Sequence, residues 1–245
     1  MIFSAITYFF ERKIKPGFKI KKNQVVIDIG SGDKPFWRGN VFLDNLNLKN
    51  LHRHTDMATV NNLGPFVDSD ISKTDFKNKA FDFAFCAHLL EHVNRPDLAI
   101  NEITRISKRG YVEVPNGVIE YISPFHSHIW FIFLVKKKLI FIRKGKVLHN
   151  ILLANGQKYY PLISKTKDPF IRLYWKDKID YEIIDNLNEK EKYFPPEKTP
   201  KTRKNTFFLH LSNYMYLSTV KMLRTMYSVS SSVDIKKLLN GSKTI

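Results

Sequence analysis

The chain has 245 residues, 43% hydrophobic and 13% aromatic, enough for a folded core, which excludes a disordered chain. Its one cysteine, Cys86, excludes a disulfide framework and a cysteine-rich zinc site, and suits a reducing compartment. The formal charge of +17 is uneven: residues 1–133 carry 17 Lys/Arg against 14 Asp/Glu, residues 134–245 carry 23 against 9.

The C-terminal half therefore supplies most of the positive field, and such a field favours an anionic partner: RNA, a membrane surface or a phosphorylated small substrate. A general surplus of surface lysine is the plain alternative. No run reaches the roughly 18 apolar residues that would span a bilayer. The opening MIFSAITYFF has no positive flank before it and no small-residue cleavage site after it, so it does not read as a signal peptide. A cytoplasmic protein is expected, with peripheral membrane contact open to its basic half.

Residues 1–22 read as an amphipathic helix followed by a basic linker from Lys13 to Lys22. Val25–Ile29 is an apolar run of strand length ended by Gly30-Ser31-Gly32, a breaker cluster. Val41–Asp44 is a second strand, ending on a carboxylate, and Gly64–Asp70 contains a third. Phe81–Ala87 is a fourth, and Leu98–Ile106 carries a helical period. Tyr111–Val114 is a fifth strand, stopped by Pro115-Asn116-Gly117. Strands so spaced, with helical patterns between them, predict a Rossmann-like, doubly wound, mostly parallel α/β sheet.

Beyond residue 117, Ile129–Val135 and Leu139–Arg143 suggest a hairpin across Lys136-Lys137-Lys138, and Phe170–Trp175 with Ile179–Ile184 a second. Residues 186–206 are charged and proline-rich, an expected exposed loop; Phe207–Tyr227 is helical, with Lys221 and Arg224 on it; the tail from Ser228 is expected to fray. The organisation predicted is a helix and linker over 1–22, a cofactor-binding α/β core over 23–117, an acceptor-side addition with β-hairpins over 118–185, and a basic loop, helix and tail over 186–245.

The segment VVIDIGSGDKP at 25–35 carries the strongest chemical signal. Ligands of open parallel sheets sit at the carboxyl ends of the strands, and a glycine turn there lets the backbone approach them closely. Asp44, ending the next strand, suits a ribose, because a carboxylate can accept from both hydroxyls. Lys34-Pro35 stands where a phosphate-binding loop would want a third glycine, which points to a nucleoside ligand without a pyrophosphate.

Taken in order, Asp28-Ile29-Gly30-Ser31-Gly32-Asp33-Lys34-Pro35, Leu43-Asp44, Asp70-Ile71, Phe81-Asp82 through His88-Leu89-Leu90-Glu91-His92-Val93, and Glu102–Ile106 followed by Gly110 and Val114-Pro115 resemble the class I S-adenosylmethionine (SAM)-dependent methyltransferases. The likeness is nearest to the small bacterial-type branch with D-x-G-x-G-D-x-P and L-x-E-H-V motifs, and it covers well under half the chain. It implies SAM as cofactor: Asp28, Gly30, Ser31 and Gly32 at the methionine end, Asp44 on the ribose, Asp70 and Ile71 at the adenine, Ala87 and His88 facing the sulfonium. Lys34 departs from the family's glycine pattern and leaves the detail of the loop open.

Methyl transfer needs a base only for a hydroxyl or a protonated amine acceptor. His88, His92, His126 and His128 are the candidates; His126, His128 and Trp130 would share a face if extended. A structural role for that segment competes with acceptor binding. A metal pair there finds no Cys, Asp or Glu nearby in sequence, so no metal site is expected. Glu91 reads equally as a helix N-terminal carboxylate; His52 and His54 read as surface-loop residues. The acceptor expected is a small molecule, lipid or surface-glycan precursor. The competing functions are an RNA methyltransferase and a non-catalytic nucleic-acid or membrane-surface binding protein that keeps the fold.

Overall fold

The computed structural model describes residues 10–45, 62–156, 169–195 and 206–240, without side chains for 206–212. His52, His54 and the first nine residues of the expected N-terminal helix lie outside them. A wide helical turn, Phe10–Ile14, runs into α1 (Lys15–Phe18), whose first turn accepts Pro16 because the missing N–H is an orphan there anyway. The helical stretch thus runs through part of what the sequence suggested was linker.

Six strands form the main sheet in the order β3-β2-β1-β4-β5-β8: β1 (Val26–Ile29), β2 (Val41–Asp44), β3 (Phe66–Asp68), β4 (Phe83–Ala87), β5 (Arg109–Pro115) and β8 (Phe170–Lys176). The first five are parallel and β8 runs antiparallel to β5. All four residues of β1 and all five of β4 are buried, the reason these strands read as continuous apolar runs rather than alternating ones.

Alternate residues of these strands feed two cores. Ile27, Ile29, Ala84, Cys86, Val112 and Val114 face α2 (Pro96–Ile106), whose Ala99, Ile100, Ile103 and Ile106 form its buried stripe. Val26, Phe42, Phe83, Phe85 and Tyr111 face the other way, onto Phe36, Trp37 and α5 (Thr206–Met226) through Tyr216, Val220 and Leu223. The basic C-terminal helix is therefore a layer of the core. Its Arg224 is buried and donates to the carbonyls of Trp37, Gly39 and Leu63, so this cation is a structural clamp.

Three further expectations change. β6 (Trp130–Val135) and β7 (Lys138–Arg143) form the predicted hairpin, but β8 and β9 (Tyr181–Ile184) do not form the second. β8 joins the main sheet beside β5, and β9 pairs parallel to β7, making a three-stranded second sheet. As far as Asn240 the tail is packed down, not frayed: Leu239 is buried in the α2-side core, and the Asn240 N–H donates to the Asp75 carbonyl at 2.7 Å. Of two short helices, α3 (Gly117–Ile122) packs on β6 and α4 (Lys146–Gly156) on α3. No helix among the described residues is long and apolar enough to cross a membrane.

Candidate active site

The site grows from the carboxyl end of β1. Gly30 and Gly32 both take positive φ, +70° and +53°. At Gly32 an added Cβ would meet nothing within 4 Å, so this turn opens on space, while at Gly30 it would press on Leu89 at 3.2 Å. The register pairs Ile29 with Leu43 and Asp44 with Asp68, which brings the Gly30–Gly32 turn level with both carboxylates. Gly32 N–H donates to Asp44 Oδ2 and Asn45 N–H to Asp44 Oδ1, each at 2.8 Å, so the carboxylate is aimed by backbone.

Asp28 is buried, and its carboxylate accepts from the Phe36 N–H at 2.7 Å. Burial pushes its pKa up to about 6, against the opposing pull of Lys13 and that hydrogen bond. Lys13, half-buried, is pushed down to about 8 by burial, with the charge of Asp28 resisting. Its Nζ donates to the Lys34 carbonyl at 3.2 Å and lies 5.1 Å from the Phe85 ring centroid. The N-terminal helical turn thus lays a cation across the carboxyl ends of β1 and β4. Ser31 is buried beside these glycines. Asp70 is exposed just beyond β3, one oxygen accepting from Ser72 N–H at 2.7 Å, whereas Ile71 is packed into the α2-side core.

His88 follows β4 in a left-handed conformation, φ +57°, with its N–H on the Glu113 carbonyl. Its ring is clamped between two buried carboxylates, Nδ1 to Glu91 Oε1 and Nε2 to Glu113 Oε1, each at 3.0 Å. Both ring nitrogens are held by carboxylate oxygens, which anchors the ring from two sides. Glu113 also takes Arg12, the Tyr111 hydroxyl at 2.7 Å and Arg172 at 3.1 Å. Burial alone would raise the Glu113 carboxyl; the His88 hydrogen bond and the charges of Arg12 and His88 outweigh it and hold it well below the carboxylate range. Ala87 is buried opposite Glu113 in the register.

Glu91 does not open a helix. Residues 88–95 form a turn, α2 starts at Pro96, and Glu91 is 1% exposed inside that turn. Burial acts to raise its carboxyl too, but the His88 hydrogen bond and the charges of His88, His92 and His128 bring it to about 2. His92 places Nδ1 on the Ser127 carbonyl at 3.1 Å, and His128 places Nδ1 on Glu120 Oε2 at 2.9 Å. Glu120 in turn accepts Lys144 Nζ at 2.5 Å and Phe125 N–H at 2.7 Å.

The expected extended wall of His126, His128 and Trp130 is corrected. Residues 126 and 127 form a turn, Trp130 is a core residue donating to the Val93 carbonyl at 2.8 Å, and His126 stacks on Phe125, whose ring also lies against His128. His88, His92 and His128 converge instead.

Glu91, Glu113 and Glu120 are the residues that sequence reading left out of the site. Glu113 carries the signal that marked Asp28, an acid inside an apolar strand. Glu120 carries none, because its partners His128 and Lys144 come from later elements.

Residues 38–112, less than a third of the chain, match the family model described as a methyltransferase domain. An uncharacterized protein of Methanocaldococcus jannaschii is 28% identical over 188 residues, 72% of this chain and 76% of that protein. Among solved structures, a SAM-dependent methyltransferase of Thermotoga maritima is 17% identical with TM-score 0.34, over 47% of this chain and 59% of that one. A Pyrococcus horikoshii protein is 14% identical with TM-score 0.39, over 62% and 80%. The chain spans between 44% and 60% of the length of the first three solved structures it matches.

Proposed function

We propose that this chain, whose α/β core holds a class I SAM-dependent methyltransferase domain, transfers the methyl group to an oxygen or nitrogen of a small acceptor such as a lipid or surface-glycan precursor. The observation that carries the reading is the Gly32–Asp44 contact: an open glycine turn at the end of β1 that aims a carboxylate at the place a ribose would occupy. The residues fit the cofactor on its charges as well. Asp28 and Lys13 offer a carboxylate and an ammonium side by side, complementary to the ammonium and carboxylate of a methionine moiety.

When bound, SAM supplies an activated methyl group on a sulfonium. What the protein adds is position, and orientation alone contributes roughly 7–11 kcal/mol in such displacements. Asp44 would take the ribose hydroxyls, Asp70 the adenine amine, and the backbone of Gly30, Ser31 and Gly32 would admit the methionine end, with Ala87 and His88 bounding the reacting centre. His88, locked by Glu91 and Glu113, orients the acceptor, and His92, its Nδ1 on the Ser127 carbonyl, stands beside the Glu91 carboxylate.

Thermal unfolding with SAM, with its demethylated product and with NAD tests this. Ligand at 100 times its dissociation constant adds roughly 2.7 kcal/mol, a rise of several degrees. A rise with SAM and its product, absent with NAD and absent in Asp44→Ala, is expected. No rise with either overturns the reading.

A further inference from the structure

Glu91 Oε2 is buried and meets no hydrogen-bond donor among the described residues. Burying a carboxylate oxygen without a partner is destabilising, so an orphan of this kind asks for an explanation. The other oxygen of the same carboxylate faces two imidazoles. His92 Nε2 lies 3.9 Å and His128 Nε2 4.0 Å from Glu91 Oε1, and one atom from each of the three side chains falls within 4.8 Å of the others. These separations are too long for direct hydrogen bonds, as an ordinary ion cluster would make. They suit three groups disposed around a common centre.

The outer contacts point the same way. Both imidazoles set Nδ1 on fixed acceptors, His92 on the Ser127 carbonyl and His128 on Glu120, and both Nε2 atoms face Glu91. A carboxylate or carbonyl behind each ring is the usual second layer of a metal-bound histidine, setting its tautomer and raising its basicity. Glu120 is itself pinned by Lys144 and the Phe125 N–H. The two rings cross at 73° with centroids 4.8 Å apart, so they are not stacked on one another.

We propose that Glu91, His92 and His128 bind a divalent first-row transition metal, zinc or a neighbour in the series. Two imidazoles and one carboxylate suit such ions, and three protein ligands leave a coordination position open. Metal–ligand bonds near 2.0–2.1 Å place tetrahedral ligand atoms about 3.4 Å apart, so the ligand atoms close by roughly 0.5–1.4 Å on loading. The His92 side chain is 22% exposed, against 1% for Glu91 and 11% for His128, so the open position faces its side. One Glu91 carboxylate separates this centre from His88 at the end of β4. The open position is thereby placed to take an oxygen of the acceptor, a role that rests on the methyltransferase reading; metal binding itself does not.

The test uses the full, tag-free chain, stripped with chelator and titrated with Zn2+ and Co2+ in the absence of SAM. One equivalent of Zn2+ bound at micromolar or tighter affinity is expected, with Co2+ giving a visible absorption band. His92→Ala, His128→Ala and Glu91→Gln should each lose the band and weaken Zn2+ on the order of 100-fold, and Glu120→Gln on the order of 10- to 100-fold. His126→Ala should change the affinity less than threefold. Should the ligand variants fail to fold by circular dichroism, the wild-type stoichiometry and band decide. A wild-type chain that takes up neither metal, or folded ligand variants that bind as wild type does, overturns the proposal. SAM binding, read separately by thermal shift, can fail while Zn2+ binding holds, which keeps the two readings distinguishable.

Discussion

The Ile129 amide donates to the Glu91 carbonyl at 2.9 Å, tying the segment that bears His128 to the turn that bears His92. Trp130 Nε1 adds a second tie, to the Val93 carbonyl at 2.8 Å. Two contacts between segments more than 35 residues apart thus bring together the imidazoles that the sequence keeps separate.

Trp130→Phe keeps most of the buried ring but removes its N–H. The Val93 carbonyl then lacks that donor, and a loss of about 1–3 kcal/mol is expected in urea unfolding. In the same variant His128 is less firmly held, so Zn2+ affinity should fall with stability. Unchanged affinity would show that Ile129 alone sets the position of His128.

On the proposed reading, cofactor binding is expected to depend on pH through Asp28. With its pKa raised to about 6, the carboxylate that would take the methionine ammonium is protonated as pH falls below 6. One unit lower, SAM affinity should be roughly tenfold weaker, as the competent fraction falls. Asp28→Asn should bind weakly at every pH and flatten that profile. Calorimetric titration from pH 5 to 8 reads both; a wild-type affinity that holds constant across that range would mean that Asp28 takes no part.

The parallel core was legible because its central strands β1, β4 and β5 are short runs buried on both faces, and β1, β2 and β5 are closed by a breaker or a carboxylate. Asp28, Asp44 and the Gly30–Gly32 turn declared themselves in the same way. What stayed hidden depended on distant pairing. β8 reads locally as half of a hairpin, and only its seven-residue register with β5 makes it a sheet edge. Arg224 reads as a surface cation until α5 packs it against three carbonyls from residues 37–63. Glu120 is meaningful only beside His128 and Lys144.

Arg224 offers a direct comparison with Lys221, exposed one turn earlier on the same helix. Arg224→Ala removes a buried guanidinium and its three carbonyl contacts, with an expected loss of about 3 kcal/mol. Lys221→Ala should stay within about 0.5 kcal/mol of wild type. Equal effects in urea unfolding would mean that α5 is not part of the core.

The β6–β7 hairpin turns on Lys136 and Lys137, at φ +48° and +67°. Left-handed backbone costs an ordinary residue about 1 kcal/mol or more, and two-residue turns of this hand prefer an asparagine followed by a glycine. The double variant K136N/K137G should therefore be more stable by about 1 kcal/mol. The midpoint of thermal unfolding should rise by a few degrees with no change in SAM binding. A midpoint that stays or falls would mean that the two lysines hold this turn without strain.

His149 sets a limit on acid stability. It is fully buried, stacks on Tyr193 with centroids 3.6 Å apart, and neither ring nitrogen has a hydrogen-bond partner among the described residues. Burial pushes its pKa down to about 4, and the positive charge of Lys144 adds to this against the opposing pull of Glu120. Between pH 6.5 and 4 the unfolded chain takes up a proton here that the folded chain refuses, so this residue makes stability fall as pH falls. Asp28 acts in the opposite direction below pH 6, because its folded pKa is raised. The contribution of His149 is therefore read as the difference between wild type and His149→Phe, which keeps an aromatic ring against Tyr193 and cannot be protonated. The stability lost between pH 7 and pH 5 in urea unfolding should be smaller in the variant. An equal loss in both proteins would show that His149 accepts its proton without leaving the folded state.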